Sequence, residues 1–268
     1  MTDTLIVGYG GFGCACAMDF AEKHGAPALL IDTHPPSEGK GNVYTDFIEI
    51  GDDESLDSGR ICNALEGYRC ILFVSSLGGE SFGNAYKVIA ECAGITGALM
   101  VTLCTIPYVF ESDRRERALN NLDSLYEGVN SMFVIDSQTT NDGNLSPMEC
   151  LEMTRGSVVE SLSVLSDILE SKPFRTLCPD PVYTLAFGES VVPGDAVRDA
   201  LAHMYFMQSR TVGKIVVCSE KLPNEIEWER VCSILSSCSG TLPEHAVYAG
   251  HGQNFCVLLI PISCRRHE

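Results

Sequence analysis

Four glycines fall within the six residues Gly8-Tyr9-Gly10-Gly11-Phe12-Gly13, immediately after an apolar run. Glycine lets a backbone approach a phosphate closely, and a helix opening there adds unpaired N–H groups and a partial positive charge. The spacing fits G-x-G-x-x-G, and Asp32 lies about 20 residues on, where a ribose-binding acid sits in dinucleotide sites. A tight strand-to-helix turn that binds nothing is the plainer reading. It is the weaker one, because so many glycines loosen packing unless a backbone must come close. A Gly-Lys-Ser/Thr triplet is missing, which excludes a Walker-type P-loop. A second cluster, Ser75-Ser76-Leu77-Gly78-Gly79-Glu80-Ser81-Phe82-Gly83-Asn84, follows a later apolar run. Two such loops in one sheet suggest a di- or triphosphate held from two sides. Dinucleotide folds do not require the second loop.

The candidate contacts are therefore Gly10, Gly11, Phe12, Gly13 and Cys14 in the first loop, and Gly78, Gly79, Glu80, Ser81, Gly83 and Asn84 in the second. Glu80 places a carboxylate where phosphate oxygens would lie. Unless it turns away or binds a cation, its repulsion opposes binding. Phe82 removes a position at which backbone could come close.

Alternating strands and helices must position these loops. Thr4–Val7, Ala28–Asp32, Cys70–Val74, Ala98–Cys104 and Met132–Ile135 read as strands, and Asp46–Ile50 as an edge strand. The continuous apolar runs are those of parallel strands covered on both faces. Helices are expected over Cys14–Lys23, Phe82–Gly94 and Arg114–Tyr126. Together they predict an α/β, doubly wound parallel sheet over residues 1–145. Ser146 and Pro147, with Glu149 following, spell a capped helix start, and the apolar period carries a long central helix over 146–171. Residues 172–268 return to alternation: helix Gly194–Gln208, strand Lys214–Cys218, helix Asn224–Ser237, then strands His245–Ala249 and Phe255–Pro261. The last two are expected to form an antiparallel hairpin. Trp228, the single tryptophan, is expected to anchor its helix.

Charge and cysteine usage exclude several functions. Acidic residues number 36 against 18 basic, a formal net charge of −18. Such a surface repels nucleic acid and anionic lipid, so neither is an expected partner. The start has no basic leader and no apolar run reaches membrane-spanning length, which predicts a soluble, cytoplasmic protein. The thirteen cysteines are scattered through apolar stretches, as buried thiols are in a reducing compartment. Cys14-Ala15-Cys16 lacks metal-ligand spacing, and no metal site is expected. A lowered thiol pKa at the helix start would make Cys14 or Cys16 reactive, though packing beneath the glycines is the plainer role.

The order of strand, Gly-Gly-x-Gly loop and helix, then strand, Gly-Gly loop and helix, resembles FtsZ, of the tubulin/FtsZ superfamily. Thr105-Ile106-Pro107-Tyr108-Val109-Phe110-Glu111, with Arg115 four residues on, resembles that family's Thr-Lys-Pro-Phe-x-Phe-Glu segment. The resemblance implies that Glu111 and Arg115 contact a nucleotide; their plainer reading is a surface ion pair at a helix start. It implies GTP or GDP as ligand, with or without Mg2+, and self-association or partnership with related filament-forming proteins. It continues through Phe187-Gly188-Glu189-Ser190, the helix after it and a smaller C-terminal α/β domain with a mixed four-stranded sheet. Coverage is nearly the whole chain in order and type.

The departures are specific. Gly-Gly-Asn becomes Gly13-Cys14-Ala15, and the second loop's glycines and threonines become Gly78–Asn84. The stretch between Gly51 and Ala64 is too short for a third glycine loop. Asp136-Ser137-Gln138 stands where an asparagine reads the base, making Ser137 the candidate there, and Arg155-Gly156 replaces a base-contacting pair. In the hydrolytic segment Asp180 matches the first aspartate and Tyr183 replaces the second. One carboxylate between prolines is poor provision for orienting water, so slow or absent GTP hydrolysis is expected. The chain also ends soon after its last strand, so membrane recruitment by the family's docking tail is not expected. Two alternatives stay open: an NAD-dependent oxidoreductase using Gly8–Gly13 and Asp32, for which His203 and His251 are isolated catalysts at best, and a scaffold of the same fold that binds no nucleotide.

Overall fold

A computed structural model describes residues 3–35, 44–51, 56–125, 132–140, 145–170, 182–184, 186–202, 212–218, 223–239, 244–248 and 255–261. The chain divides into two compact units, Met1–Glu170 and Ser171–Glu268.

The first unit runs β1 (Thr4–Tyr9), α1 (Gly10–His24), β2 (Ala28–Asp32), β3 (Asp46–Glu49), α2 (Ser58–Leu65), β4 (Cys70–Ser76), α3 (Phe82–Thr96), β5 (Leu99–Ile106), α4 (Ser112–Leu125), β6 (Met132–Asp136), a 3-10 turn over Ser137–Thr140 and α5 (Pro147–Glu170). Its strands lie in the order β3-β2-β1-β4-β5-β6, all parallel, with β3 outermost. Leu5, Ile6, Val7, Leu29, Leu30, Ile71, Leu72 and Phe73 are buried, as the continuous apolar runs require. Chain order reverses between β1 and β4, and the crevice at such a reversal is where open α/β sheets hold ligands. Register pairs Gly8 with Val74, so the two glycine clusters leave the sheet side by side.

Helix α1 begins at Gly10, four residues before its expected start, so the glycines form its first turn. Helix α2 was not legible. It has eight residues, only Ile61 and Leu65 are buried, and Asp57 caps it by accepting the Arg60 N–H at 3.0 Å. Helix α5 starts as its capping box directs: the Ser146 N–H and hydroxyl both donate to Glu149, at 2.8 and 2.6 Å. Helix α5 is joined to the β5–α4 connection by Tyr108, whose buried hydroxyl donates to Cys150 O at 2.8 Å and lies 2.7 Å from Thr154 Oγ1. Among the described residues no helix is long and apolar enough to cross a membrane.

The second unit contains β7 (Val182–Thr184), β8 (Ala186–Ser190), α6 (Pro193–Ala202), β9 (Val212–Cys218), α7 (Glu225–Ser239), β10 (Glu244–Tyr248) and β11 (Phe255–Pro261). Four strands form a mixed sheet, β10-β9-β11-β8. The expected hairpin of the last two strands does not occur. Strand β9 lies between them, parallel to β10 and antiparallel to β11. The chain from β9 through α7 to β10 is a crossover, which pairs its strands in parallel. The apolar run of β11 places it inside the sheet, between β9 and β8. Gly188 is a packing residue: a Cβ there would come within 2.2 Å of Ala196 O on α6. Helix α7 buries Val231 and Leu235, and Trp228 is half-buried on the same helix. The segment after β10, with His251, and the segments holding Asp180 and His203 lie outside the described residues.

Candidate functional site

At the β1/β4 reversal a cleft of about 170 Å³ is lined by Tyr9, Gly10, Gly11, Phe12, Asp32, Thr33, Ile50, Ser75, Ser76, Gly79, Ser81 and Arg114. The glycines divide by what surrounds them. A Cβ on Gly8 would meet Gly13 O at 2.6 Å, one on Gly13 would meet Val74 O at 2.3 Å, and one on Gly78 would meet Arg114 O at 2.6 Å. Those three let α1 and α4 lie against their neighbours. Gly10 has φ +69°, a left-handed conformation that glycine adopts without strain. A Cβ on Gly11 or Gly79 would make only ordinary van der Waals contacts, the nearest being Asp32 Oδ2 at 3.8 Å and Ser76 O at 3.7 Å. Gly10, Gly11 and Gly79 thus remain as backbone that a ligand can approach.

Neither α1 nor α3 has a side-chain cap at its N-terminus, and neither carries an acidic residue in its first turn. The first N–H groups of a helix have no partner within it and carry partial positive charge. Both helix starts open on the cleft, and the Tyr9 hydroxyl spans them by donating to Ser81 Oγ at 2.6 Å. Below, the buried Ser75 hydroxyl donates to Tyr9 O at 3.1 Å. The second loop is held from α4: Asn121 Nδ2 donates to Leu77 O at 2.7 Å, and Arg117 Nε to Gly78 O at 3.4 Å.

Of the residues singled out from sequence, Gly10, Gly11, Phe12, Gly79 and Ser81 meet in the cleft. Cys14 lies behind it, its thiol donating to Gly8 O at 3.4 Å; burial, and then Asp32, push its pKa up to about 12. Cys16 is likewise buried, with its pKa raised chiefly by burial. Both are packing thiols, not nucleophiles. Glu80 is exposed, outside the lining, with Arg117 at 3.8 Å. Phe82 is fully buried and stacks on Tyr86 at 6.0 Å between centroids, so its ring fills the core beneath the loop. Gly83 and Asn84 continue α3, Asn84 exposed. Glu111 accepts the Tyr108 N–H at 3.3 Å and pairs with Arg114. Arg115 donates from both terminal nitrogens to the two oxygens of Asp136, each at 2.7 Å. That bond, first among the causes, raises its pKa. Ser137 is buried in the 3-10 turn. Arg155 pairs with Asp19 of α1.

Sequence reasoning missed Tyr9, Ser76 and Arg114 as cleft residues. Arg114 adjoins the residue it singled out, and only the phase of α4 separates them. Among the described residues no group of acidic, histidine or cysteine side chains is arranged to hold a metal ion.

A doubly wound parallel sheet with two glycine-opened helices at its switch point is the architecture of nucleotide-phosphate sites. Comparison with known proteins narrows the class. The cell division protein FtsZ 1 of Thermococcus kodakarensis is 35% identical over 149 residues, 48% of this chain and 40% of that protein. FtsZ 1 of Pyrococcus horikoshii is 29% identical over 149 residues, with the same 48% and 40% coverage. The matched chain thus spans 40% of the length of these relatives. No protein-family model matches. The structure of CetZ2 from Haloferax volcanii, a GTPgS-bound protofilament, superposes with TM-score 0.77 at 16% identity, covering 99% of this chain and 94% of that one. An FtsZ dimer from M. jannaschii does so with TM-score 0.75 at 18% identity, covering 97% and 88%. The chain thus has the fold of the tubulin/FtsZ superfamily and is similar in sequence, over about half its length, to FtsZ proteins.

Proposed function

We propose that this chain binds a guanine nucleotide, GTP or GDP, in the cleft between the starts of α1 and α3, and that it self-associates or regulates related filaments with slow or absent hydrolysis. The observation that carries the reading is the pair of uncapped helix N-termini opening on one cleft beside Arg114. Cleft-lining backbone at Gly10, Gly11 and Gly79 suits phosphate oxygens, and Glu80 is directed to Arg117. The relatives named for cell division, and neighbours solved as a dimer and a protofilament, support self-association. Slow hydrolysis rests on the sequence alone: Asp180 between two prolines, with Tyr183 where a second carboxylate would help orient water.

The test is calorimetric titration of nucleotide-stripped protein with GTP, GDP, ATP and NAD, with magnesium present. Micromolar binding of GTP or GDP, and weaker binding of ATP, is the expected result. Asp32 in the cleft favours a second reading as a dinucleotide site, and binding of NAD alone would establish that instead. Phosphate release at concentrations where the protein associates checks the catalytic half, and turnover matching that of an active FtsZ would overturn it.

A further inference from the structure

We infer that Arg114, not Arg115, is the cation this cleft offers to a bound phosphate, with Arg115 a positioning residue for the segment that carries it. The inference rests on the nucleotide-binding reading above and adds the residue that reads the ligand's charge. Arg114 and Arg115 are consecutive on α4, and consecutive helical side chains diverge by about 100°, so they face different surroundings.

Arg115 faces inward. Besides its two bonds to Asp136, its Nη1 donates to Pro107 O at 2.7 Å. Asp136 also accepts the Gln138 N–H at 3.0 Å, and Gln138 Oε1 accepts the Val109 N–H at 3.3 Å. This network ties the end of β6 to the connection between β5 and α4. The Arg115 side chain is 21% exposed, and its fork is committed to Asp136.

Arg114 faces the cleft, and its side chain is 45% exposed. Its backbone position is fixed by the second glycine loop, since Gly78 packs so closely that a Cβ would reach Arg114 O at 2.6 Å. Glu111 takes one terminal nitrogen, and a guanidinium has five donors in a rigid fork that matches phosphate oxygens. Among the described residues lining the cleft Arg114 is the single cation and Asp32 the single carboxylate. In a chain of net charge −18, an anionic ligand depends strongly on that one local charge.

Wild type, Arg114→Ala, Arg114→Lys and Arg115→Gln would each be titrated with GDP, GTP and inorganic pyrophosphate, and each melted without ligand. Arg114→Ala is expected to weaken all three by about tenfold to a hundredfold, the loss of a charge-assisted phosphate contact, while melting near wild type. Lysine at the same position restores part of the affinity. Arg115→Gln lowers the melting temperature and changes affinity by less than Arg114→Ala does. If Arg115→Gln does not fold, the affinity of Arg114→Ala decides alone. Wild-type affinity in Arg114→Ala, or a larger loss in a folded Arg115→Gln, overturns the inference and leaves nucleotide binding standing. A wild type that binds none of the ligands overturns both.

Discussion

At the scale of single residues, the glycines of one motif have opposite roles, and substitution separates them. Gly13→Ala forces a Cβ to 2.3 Å from a backbone oxygen of β4, a clash no rotamer relieves. Urea unfolding should show a loss of about 3 kcal/mol or more. Gly11→Ala meets nothing nearer than 3.8 Å and should unfold within about 1 kcal/mol of wild type. Its nucleotide affinity should nevertheless fall, because the methyl occupies the cleft. Buried thiols make a second residue-scale prediction. Cys14 and Cys92 are held neutral, with pKa values pushed up to about 12 from an ordinary 9.0. Burial is the main cause, joined for Cys92 by neighbouring Cys62. Since the folded pKa is the higher one, the folded state binds more protons between those values. Stability is fully present below pH 9 and is lost as pH rises toward 12, which denaturant midpoints measured across that range will show. The same burial keeps Cys14 slow toward thiol reagents in native protein at pH 8 and fast after unfolding.

At the scale of elements, polar contacts of Tyr108 and Arg115 couple β5, α4, β6 and α5. Tyr108→Phe removes the hydroxyl that meets Cys150 O and Thr154 Oγ1, and should cost about 1–2 kcal/mol by urea unfolding while leaving the ring's packing intact. Much of this layer was legible beforehand. Continuous apolar runs gave β1, β4 and β5, and the Ser146–Glu149 box gave the start of α5. Helix α2 escaped because a two-residue apolar stripe is too short to show a period. The pairing of β11 escaped for another reason. Two consecutive strands with a short connection look like a hairpin, and whether a third strand enters between them depends on contacts distant in sequence.

At the scale of the whole molecule, the excess of acid acts against compactness. With 36 acidic and 18 basic residues, raising salt should screen self-repulsion and lift the melting temperature by a few degrees, with the largest gain at low ionic strength. A flat response would mean that paired charges such as Arg115–Asp136 and Arg155–Asp19 dominate. The sequence by itself determined the alternation of strands and helices, the two glycine clusters and the order of elements shared with the tubulin/FtsZ superfamily. These are carried by local composition and period, which each segment displays alone. It could not determine which glycines pack and which line the cleft, because that depends on the atom opposite each missing Cβ. From resemblance it singled out Arg115, and it had no means of showing that the neighbouring Arg114 lines the cleft. That was decided by the rotation of α4 and by the presence of Asp136 at the end of β6, 21 residues away in the chain, where only the folded sheet brings a carboxylate to meet one arginine and leave the other at the cleft.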